Sequence, residues 1–288
     1  MVDAPVYRLL DVEIEQDGQL RTRYGLSSFF EYALTLDLLE RELADAVGSD
    51  NPRMPLRDNY LPSLGVIADV KARLCVGGPL ALFAAARPAS MGWRGEPDYV
   101  LLIQQRSERV VNAKHTLAVI PKAFHQPLVE PAMETPLLRT LEREIEEELM
   151  NRTDLDHTSP DWGSSVDPMH ADRLTAAMRW LVNHRGAGAY GIEATGFGYN
   201  AISGNFELPS LVVVQDERWW AQFAGTLTPC WETSGILRLS SLDIAGLENL
   251  LCDSRWSNEG LFALALGLRR LAEVNPSRTS IPSIGITL

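Results

Sequence analysis

Three short apolar runs constrain this chain most. They are RLCVGGPLALFAAARP at 73–88, DYVLLIQQRS at 98–107 and HTLAVIPKAF at 115–124, and a segment of helical periodicity, 136–150, follows them. Runs of this length, bounded by Gly, Pro and polar residues, read as strands. The longest apolar stretch, around Cys75–Ala86, is interrupted by Gly77, Gly78 and Pro79, so it is too short and too broken to span a bilayer. Two further strands are expected in 194–216, around a Gly204-Asn205 turn, and another in 234–243. Residues 258–274, NEGLFALALGLRRLAEV, form an amphipathic final helix. Strands before and after a central helix, with a helix at the end, give an α/β or α+β domain.

The flanking regions differ in texture. Residues 5–25 alternate loosely and predict a hairpin turning at Asp17-Gly18. Helical spacing over 28–47 has Ser27 or Ser28 to start it and Gly48 to stop it. The Pro-, Asp- and Asn-rich stretch 49–65 reads as a loop. The expected organisation is a small N-terminal extension or subdomain at 1–65, a main domain at 66–276 and a tail at 277–288. The long polar segment 151–173 is expected to be irregular and to act as a mobile lid.

Net charge narrows the partners. The formal charge is −12, with no Lys/Arg cluster to reverse it locally, which disfavours nucleic acid. A phosphate-bearing small molecule would need a few placed cations or a divalent metal as a bridge. Cys75, Cys230 and Cys252 are scattered and odd in number, which argues for a reducing, cytoplasmic setting. The N-terminus lacks the pattern of a signal peptide, and no membrane association is expected. A homodimer is compatible with the sequence.

Five of the ten residues of LEREIEEELM, 141–150, are glutamates. Thr135 is placed to cap this helix and Pro136 to open it. On a helical wheel, Leu137, Leu138, Leu141, Ile145 and Leu149 form an apolar stripe. Arg139, Glu142, Arg143 and Glu146 fall opposite, as a solvated face would. Glu148 falls inside the stripe, Glu144 flanks it and Glu147 lies further out on the same side. Spacings of three and four residues bring these carboxylates side by side. Their repulsion, and the desolvation of Glu148, are costs that a bound divalent cation relieves. Hard oxygen donors suit Mg²⁺ or Mn²⁺ better than Zn²⁺.

Arg143-Glu144-Ile145-Glu146-Glu147-Glu148 matches REUxEE, where U is aliphatic, the core of the Nudix box. The preceding strand, loop and helix order resembles that of a Nudix domain, and the resemblance covers about residues 70–275. It implies a Nudix-like α/β/α sandwich with a mixed sheet. It also implies a metal-dependent hydrolase of the diphosphate linkage in a nucleoside diphosphate-linked substrate. Glu144, Glu147 and Glu148 would then bind Mg²⁺ or Mn²⁺, with Glu147, Glu148 and Arg143 in the catalytic set. The box's first glycine falls at Val129, its upstream glutamate at Thr135 and its closing glycine at Met150, so the loop before the helix must follow another backbone path. The alternative reading is a catalytically inactive Nudix-like domain that binds a nucleotide-like ligand or mediates protein contacts. Nudix-fold chemistry of another kind, isomerisation included, also remains open.

The resemblance also implies a further metal ligand or general base from this downstream region, where Glu193, Glu207 and Glu232 lie near strand ends, with Glu207 preferred because an apolar strand follows it. Lys122, Phe124 and His125 lie in the loop before the helix. In a Nudix-like fold they would meet phosphate, stack on a base and donate a hydrogen bond. Gly186-Ala-Gly188-Ala-Tyr-Gly191 satisfies GxGxxG, but it follows a helix and reads as a loop. Trp219-Trp220 reads as core or interface.

Overall fold

The three apolar runs become neighbouring strands in a computed structural model that describes residues 3–16, 19–50, 52–110, 114–152 and 169–282. In chain order, β1 (Pro5–Ile14) and β2 (Leu20–Ser28) pair antiparallel as the expected hairpin. Its Asp17-Gly18 turn and residues 153–168 of the expected lid lie outside the described residues. The 28–47 helix is two helices, α1 (Phe29–Ala33) and α2 (Leu36–Val47), with the Ser28 hydroxyl capping the first through the Glu31 amide. The stretch 49–65 is not simply a loop. It carries α3 (Pro55–Tyr60) and opens α4 (Leu64–Ala68). The Glu42 carboxylate on α2 accepts the Leu56 and Arg57 amides at 2.9 and 2.8 Å, so a distant acid supplies the cap that α3 lacks locally.

The main run of elements follows. Strands β3 (Gly77–Arg87), β4 (Asp98–Arg106) and β5 (Leu117–Val119) precede α5 (Pro131–Glu134) and α6 (Leu137–Glu144). After α6 the backbone continues into one wider π-type turn, Ile145–Leu149. Next come α7 (Ala176–Asn183), β6 (Tyr190–Ala194), β7 (Gly198–Tyr199) and β8 (Phe206–Val214). The chain then forms α8 (Glu217–Phe223), β9 (Thr233–Ser240), α9 (Ile244–Leu251) and α10 (Asn258–Val274). Among the described residues this is a mixed α/β fold whose larger sheet has seven strands. No helix among them is long and apolar enough to cross a membrane.

The chain divides into two compact units. The first comprises Met1–Gly78, Phe124–Leu137 and Phe197–Glu207. Its core gathers Val6, Tyr32, Leu36, Leu39, Leu61, Ile67 and Val76, with Phe29, Phe124 and Tyr199 packed against them. The second comprises Pro79–Ala123, Leu138–Gly196 and Leu208–Leu288.

Strands of the second unit run in the order β5-β4-β3-β8-β6, with β9 along the other side of β4. Alternation decides what each strand residue meets. On β3 and β4, Ala81, Phe83, Ala85, Val100 and Leu102 pack with Leu141, Ile145 and Leu149 of the acidic helix, and with α7 and α8. Leu80, Leu82, Ala84, Tyr99, Leu101 and Ile103 pack with α9 and α10. Both faces of these strands are therefore covered, which is why the runs are apolar throughout rather than alternating. Gly267 brings α10 close, since a Cβ there would lie 2.8 Å from the Leu82 Cβ. Trp219 and Trp220 are buried core residues, as read from the sequence.

Candidate active site

The acidic helix begins at Leu137, and its first part has ordinary α geometry. One expectation fails at once. Glu142, Arg143 and Glu146, assigned to a solvated face, are all buried. The wheel located them opposite the apolar stripe, but Thr175 and Arg185, which flank α7, meet Glu146 and Glu142 on that side. The helix is thus buried on this side too, and Glu142 and Glu146 are each given partners there. Arg185 pairs with both oxygens of Glu142. Burial raises the Glu142 pKa, and the Arg185 charge offsets part of that rise. Glu146 accepts the Thr175 amide and hydroxyl, each at 2.7 Å, and Arg152 at 3.3 Å. The same Thr175 hydroxyl accepts the Met178 amide and so caps α7. Glu146 is therefore a structural acid that anchors the start of α7.

Glu144 and Glu148 face different surroundings. Arg143 lies beside Glu144, with Nη2 3.0 Å from its carboxylate. Glu148 is 2% exposed. Its Oε2 accepts the Lys122 amide at 2.9 Å, and its Oε1 lies 3.5 Å from the Gln104 Nε2. Gln104 is held by Thr233, whose hydroxyl donates to its Oε1 at 2.8 Å, and by its own bond to the Val119 carbonyl at 3.0 Å. The Glu148 pKa is raised well above the usual carboxylate value. Burial is the main cause, the negative charges of Glu144 and Glu232 add to it, and Arg106 and the Lys122 amide oppose it.

The chain before β9 completes this arrangement. The Thr228 amide donates to the Leu149 carbonyl at 3.0 Å, and the Cys230 amide to the Glu148 carbonyl at 3.2 Å. These bonds satisfy carbonyls that the helix end leaves open. The next residues place Glu232 beside β4, where its carbonyl accepts the Ser107 amide at 2.7 Å. Arg106 Nη2 lies 3.5 Å from the Glu232 carboxylate. The β4–β9 register shifts between Gln105 and Arg106, a bulge that re-aims the side chains beyond it. Burial, then the charge of Glu148, pushes the Cys230 thiol up to about 12, so it is a protonated wall residue rather than a nucleophile.

The remaining sequence candidates divide between the two units. Glu147 is half-buried on the π-type turn, close enough to Cys230 for its charge to act on that thiol. Lys122 pairs its ammonium with Glu259 at the start of α10. Phe124 belongs to the first unit and packs with Phe29 and Tyr32. His125, also of the first unit, is fully buried between Tyr7 and Tyr24, with Nε2 3.0 Å from the Thr135 carbonyl. That packing gives its ring a core role. Glu207 is in the first unit too, where it pairs in register with Gly198. The strand-end carboxylate acting on Glu148 is Glu232. Glu193 is half exposed and pairs with Arg270.

The expected departure in the loop before the helix has a visible cause. The Glu134 carboxylate gathers the Leu128, Val129 and Glu130 amides at 2.6, 2.7 and 2.6 Å, so a side chain organises this loop. Met150 has φ −106° and needs no glycine. The left-handed residue is Asn151, at φ +52°, one of the few types that tolerate it.

Gln104, Arg106, Glu232 and Glu259 were missed or ranked low from sequence. One signal was available. Val100, Leu102, Gln104 and Arg106 share a strand face, and polar residues ending such a face mark the point where it leaves the core.

Compared with known proteins, the chain matches no family model, and no curated protein matches it.

Proposed function

We propose that this chain is a divergent Nudix-like protein, and that it is a metal-dependent hydrolase of the diphosphate linkage in a nucleoside diphosphate-linked substrate. One observation carries the reading. Glu148 is buried beside two other carboxylates, Glu144 and Glu232, and this raises its pKa. A purely structural acid gathers donors, as Glu146 does. An acid held among acids is a cost that a ligand cation would relieve, and such perturbed groups cluster at functional sites.

The donor chemistry fits Mg²⁺ or Mn²⁺ in kind, since carboxylate oxygens are the donors those ions prefer. Glu144, Glu147 and Glu148 would hold the ion, which when bound would neutralise diphosphate charge and acidify a water. Arg143 orients Glu144, and the Lys122 amide and Gln104 orient Glu148. Small-molecule chemistry inside a reducing, cytoplasmic compartment agrees with the free cysteines and the acidic charge.

A second reading also has an observation behind it. Among the described residues, no three His, Cys, Asp or Glu side chains converge as a ready metal-binding group. That favours a Nudix-like domain that binds a nucleotide-like ligand or a protein without turnover. The deciding experiment screens nucleotide sugars, dinucleotides and nucleoside triphosphates with Mg²⁺ and with Mn²⁺, using wild type and Glu148→Gln. The hydrolase reading expects turnover to fall by about a hundredfold or more in the variant. No turnover on any compound, or equal turnover in both proteins, selects the binding reading.

A further inference from the structure

Arg106 is a basic residue held among the acids. It ends β4 just past the bulge, on the strand face that also carries Gln104. It is 6% exposed, and its Nε has no hydrogen-bond partner among the described residues. Its Nη2 reaches towards Glu232 at 3.5 Å, a separation that permits ion pairing but is too long for a good hydrogen bond. Its charge also acts on Glu148. A buried guanidinium is costly when its donors are unused, and its planar fork matches the oxygens of a phosphoryl group. The carboxylates around it ask for a cation, whereas the spare N–H of Arg106 asks for an anion. One ligand supplies both: a phosphate chelated to a divalent metal.

We propose that Arg106 binds a phosphoryl oxygen of a metal-chelated diphosphate, with Glu232 holding its guanidinium in place until that ligand arrives. This rests on the reading of the acidic helix as a metal site and adds the residue that recognises the anion. The negative surroundings make anion binding conditional on the metal. Without the metal, Glu144, Glu148 and Glu232 repel a diphosphate and Arg106 alone does not compensate.

The test is calorimetric and needs no turnover. Methylenediphosphonate, which cannot be hydrolysed at its bridge, is titrated into wild type, Arg106→Lys and Arg106→Gln at saturating Mg²⁺. Mn²⁺ alone is titrated into the same three proteins. The expected result is diphosphonate binding that weakens by about tenfold or more in Arg106→Gln, because a charge-assisted bond is lost. Arg106→Lys, which keeps the charge and loses the fork, should fall between. Mn²⁺ affinity should hold or improve in both variants, since a nearby positive charge is removed or moved. Diphosphonate affinity equal in all three proteins overturns the proposal, as does wild type that ignores diphosphonate at saturating Mg²⁺. Mn²⁺ affinity falling in parallel also overturns it, because Arg106 would then only position the carboxylates. Circular dichroism shows which variants fold, and Arg106→Lys keeps the proposal testable if Arg106→Gln does not. If Mn²⁺ binds no form of the protein, the metal reading itself fails, an outcome distinct from loss of the diphosphonate effect alone.

Discussion

Glu146 and Glu148 are two residues apart on one helix, and both are almost fully buried, yet their neighbours are opposite in kind. Glu146 has an amide, a hydroxyl and a guanidinium directed at it, and with them it fixes the start of α7. Glu148 has one amide, one distant side-chain amide, two carboxylates and the opposing charge of Arg106 for company. Burial alone therefore does not mark a functional acid; the sign of what surrounds it does. A fully provided carboxylate stabilises the native state, and removing it leaves its donors stranded. A carboxylate among carboxylates costs stability until something positive arrives.

The comparison breaks most sharply under direct substitution. Glu146→Ala strands the Thr175 amide and the Arg152 charge, so it should cost about 3–5 kcal/mol, the range for breaking a buried charged network. Glu148→Gln keeps an acceptor for the Lys122 amide and removes a repulsive charge. It should be neutral or stabilising by about 1 kcal/mol in the absence of divalent cations. Urea denaturation of both variants at neutral pH, in chelator, checks this. Similar losses in the two would show that Glu148 is a structural acid like its neighbour.

A third buried acid sharpens the contrast. Glu259 meets Lys122, and both side chains are largely shielded, at 14% and 16% exposure. Burial pushes the Glu259 pKa upwards, but the Lys122 charge and hydrogen bond win and hold it below the ordinary 4.5. The sign follows from that direction. A depressed carboxylate contributes stability above its unfolded value and loses it as the pH falls through the folded one. Glu259→Gln should therefore cost roughly 2 kcal/mol at neutral pH, somewhat less than a fully enclosed pair. The difference from wild type should close as the pH falls below 4.5. A gap in unfolding midpoint that stays constant with pH would show that the charge on Glu259 contributes nothing.

Much of the strand order was legible because apolar runs between turn residues have few other ways to bury themselves. The final helix was legible for a related reason, since its periodicity is long and its ends are plain. The placement of Glu148 within the apolar stripe also came from phase alone. What phase could not give was cover. Glu142, Arg143 and Glu146 point away from the stripe, and contacts from Thr175 and Arg185, which flank α7 and are separated from the acidic helix by the long polar segment, help to make that side interior. Nor could spacing show that Glu232 acts on Glu148. That proximity depends on amides at Thr228 and Cys230 reaching the end of the helix, a contact across the chain with no local signature. The short helix α3 was hidden because it takes its cap from Glu42 on α2.

The smallest expected effect is at the exposed end of the same scale. Glu193 was also a candidate strand-end carboxylate, and it too has a cationic partner, Arg270 Nη2 at 2.8 Å. The distance is shorter than that between Arg106 and Glu232, yet the pair is worth less. Glu193 and Arg270 are 50% and 36% exposed, so water screens the attraction and two long side chains lose freedom in making it. Arg270 also reaches Glu273 at 3.0 Å, and that contact survives if Glu193 is changed. Glu193→Gln should therefore shift stability by less than about 0.5 kcal/mol, with any loss disappearing in high salt. It should leave metal and diphosphonate binding unchanged, because Glu193 is not among the charges that raise the Glu148 pKa. The same calorimetric titrations, run on this variant, decide the matter. A loss of binding there as large as that from Arg106→Gln would mean that burial among acids is the wrong criterion for the site.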